Sequence, residues 1–220
     1  MTGGPATPPT PRPPLGPELE VRRLGRFDYA RARDLQQELV AQRAAGEVCD
    51  QLLLLEHPEV VTLGRRTPEG AADGLDLPLV EIERGGEATW HGPGQLVAYP
   101  LFLLPLGRRD LHAYLRDLEE VVLRTLADLG VEGERREGLT GVWAGGHKVC
   151  SIGVAVRRWV TWHGLALNVS NDLAGFERFR PCGLEPGVMG RVADLAEVPA
   201  DDPLLEAHLE RHVRGVFGHR

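Results

Sequence analysis

The sequence offers one pair of residues that could join a soft nucleophile to a charge that ionises it. Lys148 follows Gly145-Gly146-His147 and opens the apolar run Val149 to Val156, while Cys182 stands between Pro181 and Gly183 in a loop-like segment. A thiol is mostly protonated near neutral pH. Its thiolate is the species that attacks an acyl carbon, and a nearby ammonium favours that form. Read together, Lys148 and Cys182 are the candidate catalytic residues; read separately, they are a solvated strand end and an inert thiol. Cys49 and Cys150 sit at or within apolar strand-like runs and read as small core residues.

The most unusual stretch is Arg84-Gly85-Gly86-Glu87-Ala88-Thr89-Trp90-His91-Gly92-Pro93-Gly94-Gln95, with four glycines in twelve positions. Such backbone can pass close to a ligand, and Arg84, Thr89 and His91 supply donors at its edges. A glycine-rich hairpin is the structural alternative. No Lys-Ser or Lys-Thr follows, so it is not a Walker loop, and no helix follows, so it is not a dinucleotide fingerprint. No Gly-x-Ser-x-Gly elbow is present. His91, His147, His163, Cys150 and Cys182 lack the short spacings of most metal sites, and no metal is expected.

The elements that must position these residues follow from periodicity. Tyr29, Ala32, Leu35 and Leu39 recur at helical spacing between Asp28 and Ala45, and Gly46 follows. A second helix runs from Asp110, its cap, to Leu129, with Gly130 as the stop. A third carries Leu205, Leu209, Val213, Val216 and Phe217 behind Asp202-Pro203. Strands are expected at 51–56, 60–63, 79–83, 95–104, 142–144, 149–156 and 165–169, with a hairpin around Arg157-Arg158-Trp159. This pattern predicts a single α/β domain, a mixed sheet with flanking helices, over residues 18–220. Residues 1–17 hold seven of the 17 prolines and read as a disordered leader.

The formal net charge of −7 argues against nucleic acid as a partner. The apolar runs are too short to span a bilayer, and no secretory signal is visible, so a reducing cytoplasm and three free thiols are expected.

Taken together, the motifs resemble one family, the lipoyl(octanoyl) transferases, also called lipoate-protein ligase B. The family's Arg-Gly-Gly-x-x-Thr-aromatic-His-Gly-Pro-Gly-Gln signature matches Arg84 to Gln95. Its Lys-x-x-small-aliphatic-Gly segment matches Lys148 to Gly153, its His-Gly-Leu-Ala-Leu-Asn stretch is His163 to Asn168, and its Pro-Cys-Gly is Pro181 to Gly183. The resemblance spans roughly residues 20 to 200. One departure is Val188-Met189-Gly190, where many members have Val-Thr-Ser.

The resemblance implies the catalytic-domain fold shared by biotin and lipoate ligases, acting as a monomer with no cofactor. It implies an acyltransferase that moves an octanoyl group from acyl carrier protein to a lysine of lipoyl domains, in 2-oxoacid dehydrogenases and the glycine-cleavage H protein. Cys182 would carry the acyl group and Lys148 would hold the thiolate and move protons. Arg84, Gly85, Gly86, Glu87, Ala88, Thr89, Trp90 and His91 would bind substrate, as would Ser151, Ile152, Gly153, Gly164, Leu165 and Ala166, with His163 in support. Arg65-Arg66 and Arg157-Arg158 are the basic pairs expected to face an acidic carrier. An ATP-dependent lipoate or biotin ligase is the alternative within the fold, and a non-catalytic binding domain the alternative outside enzymes.

Overall fold

The computed structural model describes residues 14–16, 18–72, 74–178, 187–196 and 203–220, arranged as two sheets with helices packed outside. Asp28 caps the first helix, α1 (Tyr29–Ala45), by accepting the Arg31 backbone N–H at 3.0 Å. This helix carries the chain from β1 (Leu19–Arg26) to β2 (Asp50–Glu56), which lie parallel, as a helical crossover allows. Beyond β2 the sheet adds β6 (Gln95–Leu101), β10 (Val160–Asn168), β9 (His147–Arg157), β8 (Leu139–Ala144) and β7 (Gly133–Arg136). Each of these is antiparallel to its neighbour. A smaller sheet holds β4 (Leu79–Glu81), β3 (Val60–Leu63) and β5 (Thr89–His91), in that order.

Alternation along β2 explains its unbroken leucine run. Leu52 and Leu54 join the core formed with α2 (Leu111–Asp128) and α4 (Pro203–Phe217), whereas Leu53 and Leu55 join the core beneath α1. Both faces of the strand are covered, so both sets must be apolar; truncating any of the four to alanine would cost roughly 2–5 kcal/mol. On α2, Asp110 accepts the Ala113 N–H at 3.0 Å, and the buried face carries Tyr114, Leu118, Val121, Val122 and Leu126. A short helix, α3 (Ala174–Glu177), follows β10.

Several expectations shift. Pro14 to Gly16 do not behave as leader. Leu15 is buried in the core and donates its N–H to Phe217 O at 2.9 Å, and His219 Nδ1 donates to Gly16 O at 2.7 Å. Residues 1–13, Pro17 and the cap residue Asp202 lie outside the described residues. The strands β1 and β7 were not expected, since arginines and glycine break their alternation; both are edge strands, where polar side chains remain in water. The run from Gln95 ends as a strand at Leu101 rather than Leu104, and the one from Leu79 ends at Glu81. The expected hairpin joins β9 to β10 through Arg158 (φ 53°) and Trp159 (φ 63°), both in the left-handed region that a two-residue turn of this twist demands. Neither residue is glycine. The turn is held from outside by Leu104, whose N–H bonds Trp159 O at 2.8 Å, and by Arg109, whose guanidinium lies 4.7 Å from the Trp159 ring centre.

Candidate active site

A cavity of about 130 Å³ lies where the smaller sheet and its glycine-rich segment cover β9 and β10. Its floor is a run of facing residues on those two strands, in which Ser151 pairs with Ala166, Ile152 with Leu165, and Gly153 with Gly164; all six line the cavity. Gly153 is set by close approach. A Cβ there would stand 2.9 Å from Arg84 Cδ and 3.1 Å from Gly85 O. Arg84 thereby lies down on the sheet, buried, with Nη2 donating to Thr62 O (3.1 Å) and Thr62 Oγ1 (3.0 Å) and Nη1 donating to Gly85 O (3.1 Å). The Gly85 N–H bonds Val154 O at 3.1 Å, fastening the segment to β9.

Alternation in and around β5 sorts the next four residues. Thr89 and His91 line the cavity, as do Gly86 and Glu87 at the segment's start. Ala88 and Trp90 do not; they join a separate cluster with Val61, Met189 and Phe176, whose ring meets Trp90 edge-on at 5.3 Å. The segment from Arg84 to His91 thus divides between cavity wall and packing. His163, buried and at φ 56°, lines the cavity from β10, its ring stacked on Trp162 at 4.3 Å and its N–H donated to Gln36 Oε1 at 2.8 Å.

Lys148 reaches the same cavity from the second residue of β9 and is buried. Gly141 on β8 makes the room. At φ 129° it adopts backbone that side chains disfavour, and a Cβ there would fall 2.7 Å from Lys148 Cε and 2.5 Å from Cys150 O. Its N–H is held at 3.0 Å by Glu119 Oε1 of α2, a buried carboxylate whose other oxygen accepts from Arg116 (2.6 Å) and Arg135 (3.2 Å). The Lys148 main chain bonds a returning segment: its N–H donates to Val188 O at 2.8 Å, and its carbonyl accepts the Gly190 N–H at 3.0 Å. At Gly190, the last residue of the Val188-Met189-Gly190 stretch, a Cβ would meet His147 Cβ at 2.6 Å. Pro181, Cys182 and Gly183 lie outside the described residues.

Sequence reasoning missed part of the wall. Tyr29, Arg66, Tyr99 and residues 138–140 line the cavity. Behind them His57 donates Nδ1–H to Phe27 O (2.7 Å) and accepts from Tyr99 OH (2.8 Å), and its ring lies 4.9 Å from Tyr29 and 5.7 Å from His91. These residues read as helix and strand core; polar aromatics at buried positions were the available signal.

Burial sets the electrostatics. It pushes His57 down to about 4, and it pushes His91 and His163 to about 3, helped by His57 at His91 and by the Arg84 charge at His163. All three are neutral at physiological pH. Burial also holds the Tyr29 and Tyr99 hydroxyls well above their ordinary range. It pushes the Cys150 thiol up to about 12 against the opposing pull of Lys148, so Cys150 is no nucleophile. Among the described residues no three His, Cys, Asp or Glu side chains converge as a metal site. The chain's single His-x-x-x-His spacing, His208 and His212 on α4, falls instead beside Asp128, which Arg211 also contacts. No helix among the described residues is long and apolar enough to cross a membrane.

Residues 28–212 match the family model of the lipoyl protein ligase A/B catalytic domain. An octanoyltransferase of Geobacter sulfurreducens is 53% identical over 166 residues, covering 76% of this chain and 71% of its own length. One from Syntrophotalea carbinolica is 47% identical over 202 residues, covering 90% and 94%. Among solved structures, a bipartite lipoate protein ligase of Thermoplasma acidophilum superposes with a TM-score of 0.67 at 17% identity, over 92% of this chain and 86% of that one. The biotin protein ligase of Aquifex aeolicus does so at 0.53 and 10%, over 92% and 70%. At those identities the likeness is one of fold, and the function rests on the sequence relatives. The chain belongs to the lipoyl protein ligase A/B catalytic-domain family and, within it, with the octanoyltransferases, which are acyltransferases.

Proposed function

We propose that the protein takes an octanoyl group from acyl carrier protein onto Cys182 and passes it to the lysine amine of a lipoyl domain. The observation that carries this reading is the buried Lys148 at the cavity, bonded through its own main chain to the segment Val188–Gly190 that follows Cys182.

In the first half-reaction the Cys182 thiolate attacks the thioester carbonyl. The carbon–sulfur bond to the carrier breaks, and the departing sulfur takes a proton from the Lys148 ammonium. In the second half, the acceptor amine attacks the enzyme thioester, Cys182 leaves as thiolate, and the proton lost by the nitrogen returns to Lys148. No ATP enters, because the incoming thioester is already activated. The hydrocarbon would lie along Ile152, Leu165 and Ala166, where each buried methylene contributes about 0.8 kcal/mol. His91 and His163, held neutral, border that chain without offering a proton.

Intact mass after incubation with octanoyl carrier protein tests the reading. A thiol-labile gain of one octanoyl group on the Cys182 peptide, discharged on adding a lipoyl domain, is expected. An unmodified Cys182 with transfer still proceeding would overturn the covalent route.

A further inference from the structure

A chain of buried hydrogen bonds links the Arg84 segment to the segment Val188–Gly190 beside Lys148, and main-chain carbonyls fix its direction. The Asn168 carboxamide, 1% exposed, donates Nδ2–H to Gly190 O at 2.9 Å. Its Oδ1 accepts from Gln95 Nε2 (2.9 Å) and from Asn171 Nδ2 (3.3 Å). Gln95 Nε2 also donates to Trp90 O at 3.3 Å. A carbonyl oxygen can only accept, so neither amide can be turned end for end. Gln95 Oε1 must therefore accept from His91 Nδ1, 2.8 Å away, and His91 is the tautomer with its proton on Nδ1. Its Nε2 faces Thr62 Oγ1 at 3.5 Å, the oxygen that accepts from Arg84.

At the other end the network meets the catalytic lysine. Gly190 O is held by Asn168, while Gly190 N–H and Val188 O bond the main chain of Lys148. Val188 lies six residues after Cys182, within about 20 Å of extended chain. On the far side, Phe176 is packed on Trp90. A nucleophile carried between two anchors reaches its partner only as well as the anchors are placed.

We propose that Asn168 is a positioning residue for acyl transfer: it holds Gly190, and with it Val188–Gly190, against the Lys148 main chain, so that the segment bearing Cys182 departs from a fixed point beside the lysine. This rests on the reading that Cys182 is the nucleophile. Asn168 acts through the backbone it grips and touches no reacting atom.

Asn168→Asp separates the two ends of the network, since a carboxylate still accepts from Gln95 and Asn171 but turns lone pairs toward Gly190 O. In the full chain, the pH midpoint of Cys182 alkylation by iodoacetamide should rise by about one unit, toward that of Lys148→Ala. Single-turnover acylation at neutral pH should fall about tenfold, with the KM for octanoyl carrier protein within twofold of wild type. Thr125→Val, which removes a buried hydroxyl bonded to Val121 O inside α2, should cost stability without moving the midpoint. Should Asn168→Asp fold poorly, ¹⁵N shifts of wild-type His91 read the network directly: a proton on Nδ1 is expected, and one on Nε2 would overturn it. If wild-type Cys182 takes no octanoyl group, the functional reading falls and this inference with it. If wild type is acylated and Lys148→Ala shifts the midpoint while Asn168→Asp keeps the wild-type midpoint and rate, the positioning role alone is wrong.

Discussion

Two parts of the cavity wall handle charge in opposite ways. At one, a single buried lysine, Lys148, lies in a notch that Gly141 leaves open, beneath which Glu119 pins the Gly141 backbone. At the other, Tyr29, His91 and Tyr99 line the cavity with His57 behind them, the rings meeting one another, and burial keeps every one of them uncharged. The difference separates proton traffic from shape. A group that must give and take a proton near neutral pH cannot be a histidine held at about 3, so under the proposed function the aromatic residues shape the cavity and the proton traffic falls to Lys148.

That division is broken most directly at the dyad. Cys182→Ser should abolish the octanoyl-enzyme, since an unactivated hydroxyl attacks a thioester poorly, and Lys148→Ala should lower transfer by on the order of a thousandfold. Lys148→Arg keeps the charge and removes proton exchange. Alkylation of Cys182 at neutral pH should then approach wild type while transfer to the lipoyl lysine stays low. Equal recovery of both would reduce Lys148 to a fixed charge. Gly141→Ala acts at the same notch by sterics. The added methyl meets the Cys150 carbonyl, which cannot swing away, and Lys148 Cε, which can. A fall in kcat of about tens-fold is expected beside a lowered Tm; unchanged kcat in a folded variant would show that Lys148 tolerates displacement.

The aromatic wall should reveal itself in stability rather than rate. His57, His91 and His163 are depressed by burial, so the unfolded chain binds protons near pH 6.5 that the folded chain refuses until about 3 to 4. Their contribution is therefore complete above neutrality and is lost as pH falls through 6.5, by on the order of 2 kcal/mol per histidine at pH 5. Thermal unfolding followed from pH 7.5 to 4.5 should show that decline, and His57→Gln should flatten it. If His91→Asn instead moved the acid limb of kcat, the wall would be taking part in proton transfer and the division would fail.

The sequence made the lysine end legible and left the aromatic end obscure, for physical reasons. Lys148 by itself read as a solvated strand end; it was singled out by its pairing with Cys182, and Arg84 and Gly153 by the glycine-rich and Lys-x-x-small-aliphatic-Gly motifs that resemble the family's. Tyr29 fitted the helical repeat of α1, Tyr99 sat inside a strand, and His57-Pro58 looked like a turn; only the superposition of β6 on α1 and β5 brings their rings together. The same holds for Gln95 and Asn168, whose amides meet across 73 residues. Helix limits were readable from their caps, Asp28 and Asp110, whereas β1 and β7 were hidden because an edge strand need not alternate. Leu15, alone among prolines, carried too little pattern to mark the point where the chain enters the core.

The smallest effect expected lies outside both walls, on the surface where a carrier would approach. Arg65 and Arg66 are exposed, yet their backbone N–H groups bond Arg84 O (3.2 Å) and Gly86 O (3.0 Å), and Arg66 itself borders the cavity. Arg157 and Arg158 lie at the tip of the β9–β10 turn, four and five residues beyond Gly153. An acidic carrier would meet a chain of net charge −7, so its approach would depend on a local positive patch, and the pair fastened to the cavity rim is better placed to supply it. Arg65→Ser with Arg66→Ser should raise the KM for octanoyl carrier protein a few-fold at low salt and remove most of its salt dependence. The same change at Arg157 and Arg158 should do less. Because the screening length shrinks from about 10 Å at 0.1 M to about 3 Å at 1 M, wild type and the 65–66 variant should converge at high salt. A difference that persisted there would mean that Arg66, which already borders the cavity, contacts the acyl substrate itself rather than only steering the carrier.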